Sequence, residues 1–97
     1  MPVAFIQEFA ATDDDRSTAN YDMIVKQVMP EDNWPQGLIF HTAGWDEEAS
    51  VFRIFDVWET EEDSQRFQDE RLTPLMQGAG APPDRSHYYG IHHLVQQ

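Results

Sequence analysis

Ninety-seven residues suffice for one domain with a single core and are too few for two. Hydrophobic residues reach 40% and fall in periodic blocks, so the excess of 18 acidic over 6 basic residues belongs to a solvated surface and not to a disordered chain. A net charge of −12 with no basic stripe argues against nucleic acid and anionic membranes as partners, and the lack of cysteine removes disulfides, thiolate metal sites and thiol nucleophiles.

The amino-terminal MPVAFIQEF has no basic segment ahead of its apolar residues, and no apolar run reaches 18 residues. A cytoplasmic protein is the expectation. VAFIQEF (3–9) reads as a short strand. Thr12 and Asp13 offer helix caps, and the acidic run that follows suits the positive end of a helix dipole. Tyr21, Ile24, Val25 and Val28 then form a helical stripe that Pro30 ends. PEDNWPQG is turn material, with Trp34 as a loop anchor or part of a lid.

GLIFHTAGW (37–45) and VFRIFDVWE (51–59) read as strands joined by a turn at DEEA. Thr60 and Asp63 make a capping box that opens a second helix through Phe67 and Leu72, which Thr73 and Pro74 either break or restart. QGAGAPPD is a second connection, and SHYYGIHHLV (86–95) is the last strand. The order is β-α-β-β-α-β, a ferredoxin-like α+β sandwich formed by residues 1–97 as one domain.

Asp56 is out of place in so apolar a strand, because strands disfavour Asp and an unpaired buried carboxylate is costly. Closing the hairpin with Trp45 opposite Ser50 makes the numbers of paired residues sum to 95. One face then carries Ile39, His41, Ala43 and Trp45 with Phe52, Ile54, Asp56 and Trp58. The other carries Leu38, Phe40 and Thr42 with Val51, Arg53, Phe55 and Val57. The more apolar second face is expected beneath the helices. The first is expected to pack against a second copy, sheet on sheet, with Asp56 in a cleft between them.

GLIFHTAG, the strand ending FDVWET, and FQDERLTPLMQ together resemble the antibiotic biosynthesis monooxygenase domains, over about Tyr21 to Leu75. The resemblance implies a dimeric α+β barrel, two ferredoxin-like subunits joined through their sheets. Each subunit would have a ligand cleft between sheet and helices or at the barrel mouth. Relatives of that fold include cofactor-free monooxygenases acting on anthrones or quinols, polyketide cyclases, haem-degrading enzymes and proteins with no assigned activity. The haem-degrading group uses an Asn on its first strand, and VAFIQEF has none.

His41 and Asp56 share a face and are near neighbours, so the carboxylate can orient the imidazole as a base. A cofactor-free oxygenase needs such a base, because the deprotonated substrate must itself supply electrons to dioxygen. His41 and Asp56 are therefore the candidate catalytic pair, with no cofactor and no metal. Trp58, Trp45, Ile39, Phe52 and Ile54 are the candidate contacts for a small aromatic molecule, although large aromatics also serve as packing. His87, His92 and His93 lack single-element ligand spacing and read as edge or interface residues. No glycine-rich phosphate loop follows a strand. A non-catalytic ligand-binding module and a polyketide cyclase are the alternative functions.

Overall fold

The computed structural model describes residues 2–11, 18–76 and 83–95. Four strands form one antiparallel sheet: β1 (Val3–Ala10), β2 (Leu38–Asp46), β3 (Val51–Trp58) and β4 (Arg85–Gly90), in the spatial order β2-β3-β1-β4. Helix α1 (Ala19–Val28) links β1 to β2. Between β3 and β4 lie α2 (Glu61–Phe67), a π-helical turn (Gln68–Leu72) and α3 (Thr73–Met76). This is the expected ferredoxin-like topology, with β1 and β3 in the centre of the sheet.

Several local signals act as their chemistry dictates. Thr60 Oγ1 accepts from the Asp63 backbone N–H at 3.1 Å, satisfying an orphan donor of the first turn of α2. Of the two outcomes open to Thr73 and Pro74 it is the restart that occurs, with α3 beginning at Thr73. The wide turn ahead of Pro74 accommodates the missing N–H, with the Thr73 N–H reaching back five residues to the Gln68 carbonyl. Trp34 is anchored as expected, its Nε1–H donating to the Leu38 carbonyl at 2.8 Å.

Other boundaries differ from the sequence reading. The first helix begins at Ala19 with Thr18 flanking it, and the cap sites at Thr12 and Asp13 lie outside the described residues. The last strand stops at Gly90 because its partner runs out. Gly90 pairs with Val3, and Pro2 has no N–H with which to extend the ladder, although its carbonyl still accepts from Ile91 at 3.0 Å.

The hairpin register also shifts. Trp45 pairs with Phe52 and Asp46 with Val51, so the loop is Glu47–Ser50 and the paired numbers sum to 97. Asp46 is held at the strand end by Arg53 Nη1 at 2.6 Å and by the Ala49 N–H at 3.0 Å, while Ser50 takes φ 57° to close the turn. Because the sum stays odd, the residues expected to share a face still do. The exception is a bulge between Leu38 and Phe40, which sets Leu38 opposite Trp58 and leaves Ile39 as the extra residue.

The face beneath the helices is the reverse of the expectation. The core consists of Phe5, Leu38 and Trp58 from the sheet with Val28 from α1 and Phe67 from α2, joined by Ile24, Met29, Leu72 and Leu75. His41 and Asp56 share this covered face with Phe5 and Trp58. The open face, on the side away from the helices, carries half-buried Ile6, Phe40 and Phe55 beside Ala4 and Val57, which are buried, with an ion-pair group in which Arg53 meets Glu8 and Asp46, each at 2.6 Å. Asp56 thus points under the helices of its own chain and not toward a second sheet.

Candidate functional site

Directly opposite residues on antiparallel strands bring their Cβ atoms to about 4.5–5.5 Å, within reach of any polar pair. His41 on β2 and Asp56 on β3 are such a pair. His41 Nδ1 lies 2.5 Å from Asp56 Oδ1, with side chains only 12% and 6% exposed. The imidazole partners the carboxylate, which removes the penalty that burying Asp56 alone would carry.

Tyr21, in the first turns of α1, completes the group. Its hydroxyl is hydrogen-bonded to His41 Nε2, and the two rings lie within 8° of parallel with centroids 5.9 Å apart. In a neutral imidazole whose Nδ1–H donates to Asp56, Nε2 is an acceptor, so the phenol O–H donates to it. Burial, then the negative charges of Asp56 and Asp22, push the Tyr21 phenol above its ordinary value. Phe52 meets the Tyr21 ring edge-on at 5.3 Å, and Trp45 meets Phe52 likewise at 5.1 Å.

A second polar group sits across Phe5, whose register neighbours are Asp56 on one side and Tyr88 on the other. The Tyr88 hydroxyl accepts from Gln68 Nε2 at 3.0 Å and shares a hydrogen bond with Ser64 Oγ at 2.9 Å, while its ring stacks on Phe5 at 4.2 Å. Ser64 is buried, and these bonds satisfy it.

The structure therefore brings together His41, Asp56, Phe52 and Trp45 of the sequence candidates. Ile54 is half-buried on the same face, between Ala43 and Gln7. Ile39 sits at the bulge and Leu38 takes the core position instead. Trp58 is completely buried, packed on Phe67 at 5.3 Å, so its ring is enclosed by protein. Its Nε1–H has no acceptor among the described residues. His87 lies on the open face near Tyr89, while His92 and His93 are exposed beyond the strand.

Tyr21 is the residue that sequence reasoning missed as a site group. It was legible only as the first member of an apolar helical stripe. A hydroxyl at the end of that stripe was the available signal. An open depression of about 290 Å³ at the hairpin end of β2, between Thr42, Trp45, Asp46 and Arg53, includes neither His41 nor Asp56 in its walls. Among the described residues no group of three or more His, Asp or Glu side chains is placed to hold a metal ion, and no helix is long and apolar enough to cross a membrane.

No protein-family model matches the sequence, and no curated protein does either. Solved structures do match the fold. Rv0793 from Mycobacterium tuberculosis superposes with a TM-score of 0.71 at 11% identity, covering 99% of this chain and 100% of its own. A variant of SnoaB, a cofactor-independent oxygenase from Streptomyces nogalater, gives 0.67 at 12% identity, covering 99% and 98%. A candidate antibiotic biosynthesis monooxygenase from Chloroflexus aurantiacus gives 0.63 at 16% identity, covering 96% and 98%. At these identities the likeness is one of architecture: the chain folds as the antibiotic biosynthesis monooxygenase proteins do, as a ferredoxin-like α+β sandwich.

Proposed function

We propose that this protein is a cofactor-independent oxygenase acting on a small aromatic or polyketide-type molecule with an acidic C–H or O–H. The observation that carries this reading is the His41–Asp56 pair roofed by Tyr21. It is a hydrogen-bonded base, largely withdrawn from water, on the helix-covered face of the sheet. Removing a proton from an anthrone-type CH₂ leaves a carbanion that donates electrons to dioxygen. Overall, CH₂ and O₂ become C=O and H₂O, with the removed proton returned to the peroxide before water leaves. Phe52 beside Tyr21, with Trp45 packed on Phe52, supplies flat apolar surface for such a substrate. The oxygenase activity of SnoaB, which shares the fold, supports the same reading.

The assembly proposed is a homodimer through the open sheet face. Ile6, Phe40, Phe55 and Tyr89 would cover their counterparts on a second copy, and the apolar character of that face supports it. Light scattering on the wild type and on Phe55→Glu is expected to give a dimer and a monomer respectively.

The functional test is oxygen uptake by purified, metal-stripped protein against anthrones, naphthols and quinols, with His41→Ala alongside. Uptake above the uncatalysed rate that the substitution abolishes supports the oxygenase. Product formed without oxygen indicates a cyclase instead. Binding without any turnover indicates a ligand-binding module.

A further inference from the structure

Proton removal requires one atom of the site to meet the substrate. Both nitrogens of His41 are already engaged, Nδ1 by Asp56 and Nε2 by Tyr21, and the imidazole is largely buried. No ring nitrogen is left to face a ligand. The Tyr21 hydroxyl is differently placed. A phenol has one donor and two acceptor lone pairs, and with a neutral His41 the bond between them uses only the donor. Its acceptor side remains, on a half-buried ring bordered by Phe52.

We propose that Tyr21, and not His41, is the catalytic residue that touches the substrate, its hydroxyl oxygen taking the substrate proton while its own proton passes to His41. This deepens the oxygenase reading and rests on it for the identity of the reaction. The groups stand in the order hydroxyl, imidazole, carboxylate, the order in which a buried carboxylate steadies the imidazolium that a relay produces.

The step balances in protons and electrons. The substrate C–H or O–H bond breaks and leaves its electron pair on the substrate. A new O–H bond forms at Tyr21 Oη as the old one transfers its proton to His41 Nε2. The product of the transfer is a substrate anion beside a neutral tyrosine, with an imidazolium facing the Asp56 carboxylate. The reverse passage returns the proton to the peroxide formed with dioxygen.

A standing phenolate is not an alternative resident base. Burial and the nearby carboxylates of Asp56 and Asp22 disfavour its charge, so the two transfers are coupled. The arrangement also explains why a tyrosine occupies a helix stripe that otherwise supplies core residues such as Ile24 and Val28.

Two measurements test this, one of them independent of turnover. The first compares Tyr21→Phe with wild type in oxygen uptake on whichever anthrone or quinol the wild type oxidises. Loss of the relay is expected to lower kcat by about 100-fold or more with KM within about threefold. The dependence of kcat on the D₂O fraction should change from two protons in flight to one. If Tyr21→Phe keeps kcat within about threefold, His41 is the direct base and the proposal falls.

The second measurement is NMR of ¹³Cζ-labelled tyrosine and ¹⁵N-labelled histidine during titration with 1-naphthol. A shift of the Tyr21 Cζ signal, with the His41 Nε2 signal following only in wild type, supports Tyr21 as the contact even where no compound is oxidised. That last case would overturn the oxygenase reading alone. A shift at His41 that persists unchanged in Tyr21→Phe, or no shift at either residue, overturns the proposal.

Discussion

Trp58 offers a sharp test of where the core ends and a ligand cleft begins. Its ring is 0% exposed and packs with Phe5, Leu38 and Phe67. Truncating a buried Trp to Ala typically costs about 3–5 kcal/mol, from lost transfer energy and the cavity left behind. A domain of this size has about 5–15 kcal/mol in all, so Trp58→Ala should remove a large part of it and lower the melting temperature by on the order of 20 °C. Trp58→Phe sets two effects against each other. It gives up about 1–2 kcal/mol of filled volume and also deletes a buried donor, and a donor without an acceptor costs about 1–3 kcal/mol. The net change should be under about 1 kcal/mol. Urea denaturation of the three proteins, followed by circular dichroism, reads both numbers. A loss of less than about 1 kcal/mol for Trp58→Ala would refute the packing argument and make the ring a wall of an open cleft.

Other perturbations follow from the same geometry. Gly37 has φ 85°, and a Cβ there would overlap the Asp63 side chain, lying 2.6 Å from its Cβ, so Gly37→Ala should destabilise by more than about 1 kcal/mol. Gly44→Ala meets nothing within 4 Å and should be neutral or slightly stabilising, which thermal melts of the two variants will check. Thr60→Ala removes the cap of α2 and should cost about 1 kcal/mol by urea denaturation, with Thr60→Ser recovering most of it. Tyr21 holds its proton more firmly folded than unfolded, so its contribution is complete below the unfolded value of about 10 and is lost as pH rises through the folded value. The urea midpoint of wild type should therefore fall more steeply than that of Tyr21→Phe between about pH 9 and 11; equal slopes would contradict the shift.

That His41 and Asp56 share a face is legible because strand periodicity is two, and a hairpin slip of one residue on each strand, which brings them directly opposite, leaves the parity of the faces unchanged. What periodicity could not decide was which face the helices cover. Both faces carry large apolar residues, and a polar pair is expected on the face away from the helices. A helix that presents a hydroxyl reverses that logic: Tyr21 satisfies His41, so the pair is tolerated beneath α1. The bulge that exchanges Ile39 for Leu38 leaves no mark in a sequence of successive apolar residues. The sequence pattern carries the last strand beyond Gly90 because Ile91, His92 and His93 are as β-prone as what precedes them. Its end is set by the partner strand, not by its own residues.

The central position of β1 has a consequence for how the sheet is completed. Its two neighbours, β3 and β4, lie some 50 and 80 residues further along the chain, so its ladders close only across long loops. Until Arg85–Gly90 has docked, one side of VAFIQEF presents a row of unpaired backbone donors and acceptors. Such a bare apolar edge is what another copy of the chain would bind in the wrong way. A chain cut after Met76 would therefore lose more than a short peripheral strand. It would turn the innermost strand into an adhesive border, and aggregation during refolding, more than lost stability, should be its visible defect.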